Sequence, residues 1–129
     1  MALKLAIVLT AAAGGCGENI PSSQPLPPGV TFTGTWDTNW GQMALRQRGS
    51  AVEGTVTVFG QYKGFRNGSV SGKAVGNIFL FRWTQFENRQ YGRGYLRMSP
   101  DGSRLEGRWG YLKNRTNGGR WWATRAQTQ

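Results

Sequence analysis

The chain predicts an all-β fold, an eight-stranded antiparallel up-and-down barrel, on three observations. Apolar and polar residues alternate with period 2 in short runs, as strands with one dry and one wet face require. Gly, Asn and Asp punctuate the chain about every ten residues, and no stretch has the 3.6-residue spacing of a helix. The chain is also short: after its N-terminal segments about 100 residues remain, enough for one domain with one core.

The first element is a leader. Met1-Ala2-Leu3-Lys4 supplies a positive start, Leu5 to Ala13 an apolar stretch, and Gly14-Gly15 the small residues of a cleavage site. This stretch is too short to cross a bilayer core, which takes about 20 apolar residues. Residues 1–15 therefore read as a signal peptide. A thiol at the cleavage point, Cys16, resembles the lipobox of bacterial lipoproteins. That resemblance implies acylation of Cys16 as the mature N-terminus, export, and attachment to the bacterial cell envelope, at the outer membrane or its periplasmic face. Residues 16–29 follow, with Pro21, Pro25, Pro27 and Pro28 among polar residues. Proline removes amide donors and holds its neighbours extended, so this run is expected to be a disordered, semi-rigid tether.

Residues 30–129 form the expected barrel domain, with strands at 31–37, 41–48, 51–59, 64–72, 75–85, 91–99, 103–111 and 119–126. Arg48-Gly49-Ser50, Gly72-Lys73, Pro100-Asp101-Gly102 and Asn117-Gly118-Gly119 supply hairpin turns, because Gly, Asn and Asp accept the positive φ that tight turns demand. Parity places Phe32, Trp36, Met43, Phe79, Phe81, Trp83, Leu96, Leu105, Trp109, Trp121 and Ala123 on one face. The other face collects threonines, serines, Glu53, Glu106 and most arginines. Closing eight such strands removes the sheet edges that a long meander would expose. Two four-stranded sheets packed as a sandwich are the competing architecture. A lipid-embedded barrel is disfavoured, since it would turn the apolar face outward and crowd the arginines into the lumen.

Gly34-Thr35-Trp36 opens the first strand and Trp121-Trp122-Ala123-Thr124-Arg125 closes the last. With Gly41 and Gly54-Thr55, these residues resemble the calycins, the lipocalin and avidin–streptavidin barrels. The chain is also similar to small Gly/Trp-rich domains of bacterial secreted proteins. The calycin resemblance implies that Arg125 packs across Trp36 to close the barrel base, a structural role. It does not extend to a biotin site. Gln42 stands where the avidin pattern has a serine, and Val56 where it has a tyrosine; a polar site that lacks its hydrogen-bonding groups loses its discrimination.

The chain contains no histidine, so His-based acid–base catalysis and His metal ligation are excluded. Acylation would remove the single thiol as a nucleophile. The six acidic residues are Glu18, Asp37, Glu53, Glu87, Asp101 and Glu106. Asp101 reads as a turn residue, and Glu53 and Glu106 as cross-strand partners of arginines. Asp37 and Glu87 sit near strand ends and would make a paired-carboxylate glycan hydrolase if they shared one mouth. The sequence otherwise points away from an enzyme and implies no cofactor and no metal.

Charge is the stronger signal. Sixteen Lys and Arg face six acids, a formal net charge of +10, and twelve of the sixteen are arginine. The guanidinium fork suits phosphate, sulfate and carboxylate. Arg82, Arg93, Arg97, Arg104 and Arg108 fall on one face of the fifth to seventh strands, with Tyr95 among them. Neighbouring strands lie about 4.8 Å apart, so these residues would form a continuous outer patch for a polyanion such as lipopolysaccharide, acidic polysaccharide or DNA. A basic protein with its arginines simply solvated is the plain alternative. A second site is also possible inside the barrel, where Trp83, Trp109 and Trp121 would line a pocket for a small apolar ligand or fill it themselves. The sequence leaves the oligomeric state open.

Overall fold

A computed structural model describes residues 20–58, 67–87 and 89–126. The predicted leader and Cys16 lie outside the described residues, as do the end of the predicted strand 51–59 and the start of 64–72. The strands are β1 (Gly34–Thr38), β2 (Gly41–Arg48), β3 (Ala51–Thr57), β4 (Gly68–Val75), β5 (Ile78–Gln85), β6 (Tyr91–Met98), β7 (Arg104–Tyr111) and β8 (Gly119–Arg125). Each pairs antiparallel with the next, and β8 returns to β1 through Trp36 opposite Arg125, Asp37 opposite Thr124 and Thr38 opposite Ala123. The sheet is a closed eight-stranded barrel. Closure disposes of the sandwich, because every strand has two partners.

The barrel has two unlike ends. At the base, β1 begins, β8 ends, and the turns β2–β3, β4–β5 and β6–β7 reverse the chain. At the mouth lie the β1–β2, β3–β4, β5–β6 and β7–β8 connections. The apolar residues that parity placed inside, from Phe32 to Ala123, form one buried cluster between the ends. Phe32, Phe79, Phe81 and Trp121 run up the axis in ring contacts of 5.8, 5.3 and 5.2 Å. Trp83, Trp109 and Tyr111 continue the stack towards the mouth.

Such bulky rings fit because glycines stand opposite them. Phe81 faces Gly94 and Trp83 faces Gly92 across the β5–β6 ladder. A Cβ on Gly94 would collide with the Phe81 ring, and one on Gly92 would come within 2.7 Å of the Trp83 indole nitrogen. The strand glycines therefore relieve crowding rather than open a lumen.

Two expectations need correction. The β4–β5 turn is not at Gly72-Lys73 but at Gly76-Asn77, where Gly76 has φ +57°. Gly72 lies within β4, so close to the Leu80 carbonyl on the next strand that a side chain there would collide with it. Both glycines look like turn residues in sequence; only the cross-strand approach separates them.

Ile78, the first residue of β5, is buried. So is Asn77, whose backbone nitrogen donates to the Gln24 carbonyl while its side-chain oxygen accepts from the Gln24 nitrogen, both at 2.7 Å. Residues 20–29 accordingly do not form the free spacer expected of 16–29. Pro27-Pro28-Gly29-Val30 makes a turn, with Val30 N donating to Pro27 O at 3.1 Å and Gly29 at φ +74°, the type II signature. Leu26 and Val30 then pack against the core. The apolar residues dispersed among the prolines have a base to cover, and the turn aims them at it.

Candidate functional site

Arg125 seals the base. Its Cζ lies 4.2 Å from the centroid of the Trp36 ring. The rest of the guanidinium is spent on carbonyls: Nη1 donates to Thr33 O at 2.8 Å, Nη2 to Thr31 O at 3.0 Å and Nε to Gly102 O at 3.2 Å. Three donors of one planar group aimed at three carbonyls on two segments are a task for arginine rather than lysine. Burial pushes the Arg125 pKa down from its usual value, the expected direction for a cation moved out of water. The Trp36 indole is satisfied separately, donating to Phe32 O at 3.0 Å. No reactive group lies in this cluster, and its job is closure.

The outer wall of β5 to β8 gathers the predicted arginines. Arg82 stands directly opposite Arg93 between β5 and β6. Tyr95 stands opposite Arg108, and Arg97 opposite Glu106, between β6 and β7. Arg104 begins β7 beside them. Sequence reasoning omitted Arg120, which faces Arg108 across the β7–β8 ladder. The signal for it was present: parity from inward Trp121 sends Arg120 and Trp122 outward on the strand next to β7. Six arginines thus share a wall with Glu106, and the ion pair of that wall among the described residues is Arg104–Glu106 at 2.9 Å. Arg97, Arg104, Arg108 and Arg120 border a shallow groove of about 480 Å³, rimmed by Pro21 and Trp122.

Tyr95 differs from its expected role. It points outward, yet is only 8 % exposed. It stands between Leu80 and Arg108, with Arg93 and Arg97 two positions away along β6. The long apolar stems of arginine lie along such surfaces while their heads stay in water. Tyr95 is buried beneath the wall, and Trp122 is the exposed aromatic of this wall.

At the mouth, the three tryptophans proposed from sequence come together. Trp83, Trp109 and Trp121 line an apolar cavity of about 60 Å³ with Val56, Val58 and Val70, and Trp40 of the β1–β2 loop meets Trp109 edge to face at 5.9 Å. The cavity is small: a void of about 150 Å³ is needed to hold a benzene-sized guest. It is not uniformly satisfied. The Trp83 indole donates to Gly110 O at 2.9 Å, whereas the buried indole N–H groups of Trp109 and Trp121 have no partner among the described residues. Gln42, at the avidin-type serine position, faces outward and donates to Asp37 at 3.3 Å, while Val56 lines the cavity.

The carboxylates do not assemble. Asp37 near the end of β1 and Glu87 after β5 do share the mouth, but on opposite sides of it, half the barrel's circumference apart. Glu53 lies opposite Arg46 in register. Asp101 accepts from Ser99 Oγ and Ser103 Oγ at 2.7 Å and from Ser103 N at 3.0 Å. These hydrogen bonds hold its pKa down to about 2. Among the described residues no three His, Cys, Asp or Glu side chains are grouped to hold a metal. No protein-family model, curated protein or solved structure matches the chain.

Proposed function

We propose that this protein is an exported, lipid-anchored module of the cell envelope, a calycin-like barrel that binds polyanions through the β5–β8 wall without catalysis. One observation carries the reading: like charges are placed in register. Arg82 opposes Arg93, and Arg108 opposes Arg120. Directly opposed like charges on a sheet are destabilising, by an amount comparable to the ~0.2–1 kcal/mol that favourable pairs contribute. A fold that keeps two such pairs, with one acid on the wall, is relieved when closely spaced anions sit between them. Groups with that spacing occur on the phosphorylated sugars of lipopolysaccharide, on acidic polysaccharide and on DNA. The groove beside Trp122 accommodates a sugar or base as well as its anionic substituents.

The test is a salt titration against purified lipopolysaccharide, heparin and duplex DNA. If about four phosphates are neutralised, log K for DNA falls with log salt at a slope near −3.6, roughly a hundredfold in affinity between 50 and 200 mM. Arg108→Ser with Arg120→Ser flattens that slope, and in the absence of ligand Arg120→Ser raises stability slightly, whereas Arg108→Ser also gives up the Nε hydrogen bond to Thr116 O. An unchanged slope in the double variant, or no binding to any of the three polymers, rejects the reading. The relative affinities identify the polymer.

A second reading rests on the unpartnered indole groups at the mouth. They favour a small apolar ligand that carries a hydrogen-bond acceptor and inserts only its tip, since the cavity is about 60 Å³. Small ketones and esters that raise the thermal midpoint of the parent, but not of Trp109→Phe, would establish it.

A further inference from the structure

We propose that the rim formed by the β5–β6 and β7–β8 loops is a docking surface for an anionic lipid membrane. The large apolar side chains left exposed are concentrated there. Phe86 is 60 % exposed, Leu112 56 %, Tyr91 54 % and Tyr111 43 %. Two of them are tied together by the backbone: Leu112 N donates to Tyr91 O at 3.1 Å, and Tyr111 pairs with Gly92. Tyr111 stands on Trp83 and Trp109, with ring centroids 5.8 and 5.0 Å away, so the rim is a firm projection.

Leu112 is the telling residue. Its φ is +58°, in the left-handed region where glycine or asparagine is comfortable and a leucine is not. A hairpin selected only for folding would place a small polar residue there. This one holds an aliphatic side chain in an unfavourable backbone conformation and presents it to water. Arg89, at φ +59°, repeats the device with a cation on the neighbouring loop.

Charge identifies the occupant. Arg89 lies between Phe86 and Tyr91 and Lys113 follows Leu112, against the single acid Glu87. The apolar groups stand on loops and strand ends at the rim and line neither the β5–β8 groove nor the tryptophan cavity, which suits insertion better than capture of a compact ligand. Aromatic side chains settle at the headgroup level of a bilayer, and lysine and arginine beside them meet lipid phosphates. Phe86 and Leu112 offer no hydrogen bonds to a sugar but do offer carbon to acyl chains. The proposal is independent of the β5–β8 wall.

The experiment uses the full chain carrying Cys16→Ser, which removes any acyl attachment. Vesicles of phosphatidylglycerol mixed with phosphatidylcholine are compared with phosphatidylcholine alone, with brominated acyl chains as quenchers of tryptophan emission. The expected result is at least tenfold stronger partitioning onto the anionic vesicles, with quenching of the tryptophans under the rim. Phe86→Ser with Leu112→Asn lowers partitioning about tenfold and abolishes quenching, while heparin binding is retained. Leu112→Asn suits the left-handed backbone, so an unchanged thermal midpoint verifies that the fold survives. The pair Arg108→Ser and Arg120→Ser has the opposite signature, losing heparin while keeping the quenching. Binding without quenching, equal binding by the rim variant, or no preference for anionic lipid overturns the proposal. So does binding to a protein partner through the rim with no affinity for vesicles.

Discussion

The base and the mouth of this barrel are built from the same residue types and treated differently. At the base, Trp36 donates its indole proton to Phe32 O, and Arg125 covers its ring while bonding three carbonyls. At the mouth, Trp109 and Trp121 are also buried, yet their indole protons find no partner among the described residues, and a cavity remains beside them. Both non-glycine residues with positive φ among the described residues, Arg89 and Leu112, belong to mouth loops. Unsatisfied donors and unfavourable backbone persist only where the surrounding structure over-determines them, and they concentrate where molecules bind. One end is optimised for closure, and the other carries the molecule's uncompensated features.

The largest effect that would test this contrast is Arg125→Ala. It removes a cation–π contact and three charge-assisted hydrogen bonds, for an expected loss of about 2–4 kcal/mol. For a domain of this size that is a fall of roughly 10–25 °C in the thermal midpoint. Arg125→Lys recovers only part of it, because an ammonium cannot reach three carbonyls in one plane. A fall of only a degree or two in Arg125→Ala would mean that the base is closed by packing of Leu26, Val30 and Phe32 alone.

A sharper comparison sets Trp36→Phe beside Trp109→Phe. Each loses the same ring atoms, but only the first breaks an existing hydrogen bond and leaves the Phe32 carbonyl without it. Denaturant unfolding should show Trp36→Phe to be less stable by about 1–2 kcal/mol. Equal losses would imply that Trp109 has a partner in solution, a bound water or ligand being the candidates.

The smallest effect is electrostatic and again lies at the base. Asp101 has a folded pKa of about 2 against an ordinary value of 3.8. The unfolded chain therefore takes up the proton first as pH falls. The stabilisation from Asp101 is complete above about pH 4 and is lost as pH falls through about 2. Thermal midpoints of the parent should decline across that window, and Asp101→Asn should remove this component while leaving the mouth unaffected. An identical acid profile in the variant would show that the Ser99 and Ser103 hydroxyls contribute nothing to the turn.

Much of the barrel was legible in the residues. Period-2 alternation is a local property, so Phe79, Phe81 and Trp83 announced an inward face wherever the strand came to lie. The outward arginines followed from the same parity. The errors arose where one local signal had two meanings. Gly72 and Gly76 both resemble turn glycines, and only the approach of the Leu80 carbonyl shows that Gly72 belongs inside a strand. Tyr95 has outward parity, but its burial depends on side chains from β5 and β7 that the local sequence does not place beside it. The arginine row was listed from β5, β6 and β7, and the same parity carried to β8, which an up-and-down barrel sets beside β7, supplies Arg120 as well.

Alternation, turn chemistry and the large excess of arginine were set by neighbouring residues, because strand parity, positive φ and charge need nothing beyond a few bonds of chain. Two matters awaited the folded molecule: the return of residues 20–30 over the base, and the two indole protons left without a partner among the described residues at the mouth. The first depends on groups far apart in sequence, Gln24 with Asn77, whose contact is decided by the packing of the whole barrel. Proline content alone suggested a loose spacer; the apolar Leu26 and Val30 became anchors because closure supplied a base for them to cover.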